Sequence, residues 1–182
     1  AISSVHELAP YPAPATLIFV NATPGVVARG REWLDARFIH PTDDLVYIDF
    51  HSFVVRAGRR TILVDTCHGN HKKRRPPVDY ANDLNVDYLG HLARAGLKPE
   101  DIDVVLCTHL HFDHIGWNTR LEDGRWVPTF PNARYLISRK DFQHFEIANK
   151  SADPMEAEAF EDSIVPIVRA GQADRIETEH AV

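Results

Sequence analysis

The 182 residues are 44% hydrophobic and 25% charged, which is the makeup of one soluble globular domain with material for a core and excludes a disordered tail. No stretch approaches the roughly 18 uninterrupted apolar residues of a membrane span, and AISSVHELAPYPAPATLIFV at the start lacks the basic opening and long apolar segment of a secretory leader, so a cytoplasmic protein with no membrane partner is expected. A formal net charge of -6 argues against a nucleic-acid partner, whose affinity comes mainly from neutralising phosphates with Lys and Arg.

In chain order, residues 15–22 (ATLIFVNA) read as a strand and residues 24–44 as a loop with a short helical piece. Residues 45–55 are rich in β-branched and aromatic side chains. Residues 56–60 then turn the chain into a buried return strand over 61–65, giving a hairpin. The basic run His71-Lys72-Lys73-Arg74-Arg75 before Pro76-Pro77 is expected to be a solvated loop. Over residues 80–95, Leu84, Tyr88, Leu89, Leu92 and Ala95 share one helical face, and Gly96 stands where a C-terminal cap belongs. Lys98-Pro99-Glu100-Asp101 resembles a helical turn, and the apolar run 102–107 suits an interior strand. Further on, LEDGRW offers an Asp-Gly turn and residues 133–138 a strand. Residues 139–149 follow as a helix with Phe142, Phe145 and Ile147 inward, then a second helical stretch over 154–165, ended by Pro166. The last eight residues read as the start of another strand. Cys67 and Cys107 are the only cysteines, in no CxxC pair, and read as small buried side chains.

The chemistry is concentrated behind the apolar run, in THLHFDHIGWN (residues 108–118). In an extended segment alternate side chains point the same way, so His109 and His111 can converge on one ion, while Asp113 and His114, past the bend, can turn toward a second. Imidazole nitrogen and carboxylate oxygen suit zinc and other first-row metals. The protein has eleven histidines, and His6, His40, His91, His144 and His180, each isolated, read as surface or helix-face residues. The spacing H-x-H-x-D-H before Gly116 is far more specific than any one of them. Trp117 reads equally as a wall of the cavity mouth or as core packing.

With the strand-end Asp65 of ILVDT and the block Thr108-His109-Leu110-His111-Phe112-Asp113-His114-Ile115-Gly116, the chain resembles the metallo-β-lactamase superfamily over about residues 15–182. Its lactonase and organophosphate-hydrolase-like branch resembles it most. The resemblance implies the N-terminal half of an αββα sandwich, an α/β (α+β) fold with a mixed sheet and flanking helices. It also implies that His109 and His111 bind a first metal, that Asp113 and His114 bind a second, and that Asp65 orients a ligand histidine. Trp117-Asn118 stand where many members have a second glycine.

Such a site implies two divalent ions, zinc first, with manganese, iron or cobalt as alternatives. A water bridging them would be acidified and would attack an ester, lactone or similar small substrate, with Asp113 as the catalytic carboxylate that holds the water or moves its proton. No G-x-S-x-G elbow offers a protein nucleophile. An iron-dependent redox member such as a persulfide dioxygenase, or a metal-binding fragment without turnover, are the competing readings. The family completes its centre with downstream ligands that neither His144 nor His180 resembles in setting. The 182 residues therefore read as a single domain, the N-terminal portion of a metallo-β-lactamase-like unit whose C-terminal half is absent, and inactive alone. A lone half would leave an apolar sheet face to be covered by the missing half, by a second chain or by a homo-oligomer.

Overall fold

The structure, a computed structural model, describes residues 1–76, 79–151 and 154–177. In chain order its elements are β1 (Ile2–His6), β2 (Tyr11–Pro14), α1 (Ala15–Ile18), α2 (Pro24–Gly30), β3 (Leu45–Ile48), β4 (His51–Ala57) and β5 (Arg60–Val64). There follow α3 (Tyr88–Arg94), β6 (Val104–Leu106), α4 (Phe112–Ile115), β7 (Thr119–Glu122), β8 (Arg125–Pro128) and β9 (Arg134–Ser138). The helices α5 (Arg139–Ser151), α6 (Pro154–Ser163) and α7 (Val165–Arg169) precede β10 (Ala173–Ile176). Two compact units emerge, one of residues 1–7 with 51–182 and one of Leu8–Phe50.

The larger unit is built on a six-stranded sheet in the order β1-β4-β5-β6-β9-β10. The β1/β4 and β4/β5 pairs are antiparallel, whereas β5/β6, β6/β9 and β9/β10 are parallel. This is the mixed α/β sheet with flanking helices. Parallel neighbours need a long crossover, and the one from β5 to β6 carries α3. Asp87 caps that helix by accepting from the Gly90 N–H at 3.1 Å, and Gly96 ends it at φ 77°. Leu63, Val105, Tyr135 and Ile137 of the sheet are buried, as are Tyr88, Leu92 and Ile167 of the helices and Ile164 between α6 and α7. Because β5 and β6 run the same way, their C-terminal ends lie side by side, the place where open α/β sheets present their sites.

The smaller unit pairs β2 with β3 around a modest cluster of Ala15, Ala22, Val27 and Ile39. Here the sequence reading needs correction. Residues 15–22 are not a strand: the extended pairing falls on residues 11–14, and Pro14 leads into the short helix α1. Leu17, Ile18, Phe19 and Val20 stay exposed, and of this run only Ala15 and Ala22, at its two ends, are buried. Residues 45–55 divide at Asp49-Phe50 into strands of two different sheets. The helix expected over 80–95 is only Tyr88–Arg94, since the Asp87 cap sets its start and a 3₁₀ turn occupies Asp79–Ala81. Ile147 is 65% exposed rather than inward, while Phe142 and Phe145 are buried. Pro166 does not end a helix but stands in the first turn of α7, where its missing N–H costs nothing.

The basic run is also misread from sequence. Lys72 and Arg74 are buried, and both pair with Asp162 of α6. Lys72 Nζ further donates to Thr119 Oγ1 (2.6 Å) and Ser163 Oγ (3.1 Å) and stands 3.7 Å over the Trp126 ring. His71, Lys73 and Arg75 remain exposed. Burial alternates along residues 71–75, and composition alone cannot show that an acid from far along the chain will meet the inward cations.

Candidate metal centre

The strand β6 ends at Leu106, and the next residues run into the site. Asp65 follows β5 directly, its N–H bonded to the Leu106 carbonyl at 2.9 Å, so the parallel register itself brings Asp65 to the block that follows β6. The Thr108 N–H donates to Asp65 Oδ1 at 2.8 Å and the Thr108 hydroxyl to Oδ2 at 2.7 Å. His114, from α4, reaches back so that Nδ1 lies 2.8 Å from Asp65 Oδ2.

These contacts assign tautomers along the block by hydrogen-bond logic. Asp65 accepts, so His114 Nδ1 carries the hydrogen and Nε2 keeps its lone pair. That nitrogen lies 3.6 Å from Asp113 Oδ2. The Thr108 hydroxyl has spent its one hydrogen on Asp65 and must accept from His109 Nδ1, 3.1 Å away. His109 Nε2, left with its lone pair, then accepts from His111 Nδ1 at 3.1 Å, which frees the lone pair of His111 Nε2. The rings crowd accordingly, with centroids 4.6 Å apart for His109 and His111 and 3.9 Å for His109 and His114.

Electrostatics follow the same contacts. Burial alone would raise the Asp65 carboxyl, but hydrogen bonds from His114 and from the backbone and hydroxyl of Thr108 outweigh it and hold the group below the usual carboxylate range. His109 is pushed below the ordinary imidazole value by burial and then by its histidine neighbours. Burial also opposes the charged form of His114, yet the Asp65 hydrogen bond and the Asp113 and Asp65 charges prevail and raise it.

The donor chemistry of His109, His111, Asp113 and His114 fits a divalent first-row cation: three imidazole nitrogens with lone pairs and one carboxylate, half-exposed at a strand end. The convergence is pairwise. No three of these four side chains bring ligand atoms within 4.8 Å of one another, although His109 Nε2 and His111 Nδ1 lie 3.1 Å apart. Trp117 does not line a cavity mouth. It is 4% exposed, stacks on Tyr88 at a centroid distance of 5.0 Å and donates its indole N–H to Glu7 at 2.7 Å. Sequence reasoning passed over Glu7 and His68; the only signal was the place of His68, three residues after Asp65.

Comparison with known proteins agrees with this architecture. The family model described as the metallo-beta-lactamase superfamily matches residues 51–180. A probable metallo-hydrolase of Methanocaldococcus jannaschii is 42% identical over 65 residues, which are 34% of this chain and 28% of that protein. An N-acyl homoserine lactonase, AiiB of Agrobacterium fabrum, is 31% identical over 81 residues, 40% of this chain and 29% of the relative. Among solved structures, a probable metal-dependent hydrolase from Staphylococcus aureus superposes with a TM-score of 0.69 at 18% identity, over 99% of this chain and 60% of that one. The dizinc quorum-quenching lactonase AidC, solved with a product, gives 0.61 at 19% identity over 100% and 59%. The matches thus span under a third of the curated relatives and about three fifths of the solved chains. The mixed sheet, the strand-end aspartate, the H-x-H-x-D-H block and the family match together make this chain a member of the metallo-β-lactamase superfamily.

Proposed function

We propose that the chain carries the first part of a metal-dependent hydrolase centre for an ester, lactone or similar small electrophile. The observation that carries this reading is the relay Thr108–Asp65–His114 with His109–His111, which leaves Nε2 of His111 and His114 with free lone pairs beside the Asp113 carboxylate, while that of His109 accepts from the His111 N–H it would exchange for an ion. His109 and His111 would hold a first divalent ion, and Asp113 and His114 a second, with zinc the first candidate. AidC, a dizinc lactonase of the same fold, is in keeping with this. Bound there, the ions would acidify a water and polarise the substrate oxygen. Asp65 fixes the His114 tautomer and ring, and Asp113 can accept the proton that the water gives up.

The solved neighbours are longer chains, and we infer that the remaining ligands come from polypeptide outside these 182 residues, so that hydrolysis by them alone is not expected. The test measures metal per chain and turnover of a panel of chromogenic esters and lactones, on the full-length protein and on residues 1–182. Metal binding should be lost in His111→Ala and Asp113→Ala, and chelation should abolish turnover. Full turnover in either substituted protein would refute the ligand assignment.

A further inference from the structure

Away from the candidate ligands, the larger unit holds a heavily hydrogen-bonded carboxylate in Glu7, just after β1. Its side chain is fully buried, and four donors converge on its two oxygens. The backbone N–H of His68 (3.0 Å) and His68 Nδ1 (2.8 Å) meet Oε2. The Gly69 N–H (2.9 Å) and the Trp117 indole N–H (2.7 Å) meet Oε1.

Those donors belong to the two segments that bear the candidate centre. Residues 65–69 leave β5 with Asp65 at their head, and residues 114–118 leave the block with His114 at theirs. The segments are zipped by backbone bonds of 2.7 Å each, from the Thr66 N–H to the His114 carbonyl, from Gly116 to Cys67 and from Trp117 to Thr66. They approach so closely that a Cβ on Gly116 would overlap the His68 carbonyl. Asp65 and Cys67 stand at φ 57° and 49°, a left-handed backbone that persists only where surrounding contacts over-determine it. Glu7 closes the far end of this zipper, Asp65–His114 the near end. The His68 ring held by Glu7 lies 5.6 Å from the ring of Phe112, which stands between His111 and Asp113.

We propose that Glu7 is a positioning residue for the metal centre. By fixing residues 66–69 and Trp117 together, it holds Asp65 in register with His114 without touching metal or substrate. The inference rests on the metal reading of the block.

The test uses Glu7→Gln and Trp117→Phe in the full-length protein, titrated with Zn²⁺ against a chromophoric chelator and loaded with Co²⁺ for its visible spectrum. A glutamine sets an amide N–H₂ against two of the four donors. Glu7→Gln is therefore expected to weaken at least one metal equivalent by about tenfold or more and to shift the Co²⁺ bands, with far-UV circular dichroism retained. Trp117→Phe keeps the ring and removes one donor, so a smaller loss in the same direction is expected, which preserves the test should Glu7→Gln not fold. Histidine ¹⁵N spectra of the metal-free protein should show His68 as the Nδ1–H tautomer. Wild-type protein that takes up no Zn²⁺ overturns the metal reading and this inference with it. Wild-type protein that binds Zn²⁺, with variant affinities and Co²⁺ spectra unchanged or with His68 as the Nε2–H tautomer, overturns the role of Glu7 alone.

Discussion

Asp65 serves three donors with two oxygens: the Thr108 N–H, the Thr108 hydroxyl and His114 Nδ1. Asp65→Asn keeps the shape but sets an amide against one of those donors, so His114 loses its fixed tautomer. Zinc affinity is expected to fall about 10- to 100-fold, read by competition titration; an unchanged constant would show that His114 needs no such support. Gly116 is constrained differently, by space. Gly116→Ala must displace the His68 carbonyl, an overpacking expected to cost about 1–3 kcal/mol in chemical denaturation. At this scale the meeting of the block with Asp65 was legible in the sequence because the residue types are local and their spacing is specific, and their role as ligands is the proposal made above. Glu7 was not, since its partners lie 61 and 110 residues away and nothing in a lone glutamate announces them.

Elements were legible where local chemistry decides them. Asp123 and Gly124 turn β7 into β8 with φ 48° and 75°, both positive as a two-residue hairpin of this kind requires. Gly124→Ala should accordingly lower stability by about 1 kcal/mol, measured by thermal or urea unfolding. Burial decided elsewhere, as for residues 15–22 and the basic run, and there the sequence misled. Lys72 permits a test with a definite sign. Burial, only partly offset by Asp162, brings its ammonium down to about 8 from 10.5. Between those two pH values the unfolded chain holds more protons than the folded one, so stability contributed by this residue rises with pH through that window. Relative to Lys72→Met, the wild type should gain on the order of 1–3 kcal/mol on going from pH 8 to 10.5, read from denaturation curves. Curves that stay parallel would mean that Lys72 keeps its proton throughout.

For the whole molecule, the mixed sheet was foreseeable from the order of hairpin, helix, apolar strand and H-x-H-x-D-H block, whereas the separateness of Leu8–Phe50 was not, because Leu17 to Val20 signalled a burial they do not have. That unit rests on a cluster of four buried apolar residues, flanked by Leu34 and Val46, with Ala13 buried besides. Its amides should exchange with deuterium well before those of β5, β6 and β9, as expected for a region with few buried contacts; equal protection would show that the two units open as one. No helix among the described residues is long and apolar enough to cross a membrane. Both thiols are sealed, Cys67 at 1% and Cys107 at 3% exposure. Burial raises Cys67 well above its usual range and Cys107 to about 12, so neither is nucleophilic in the closed molecule. The protein thereby carries two internal timers: alkylation of Cys67 clocks the loosening of the loop behind Asp65, alkylation of Cys107 the parting of the central strands, and the interval between them measures how far the Asp65–His114 corner can yield before the sheet does.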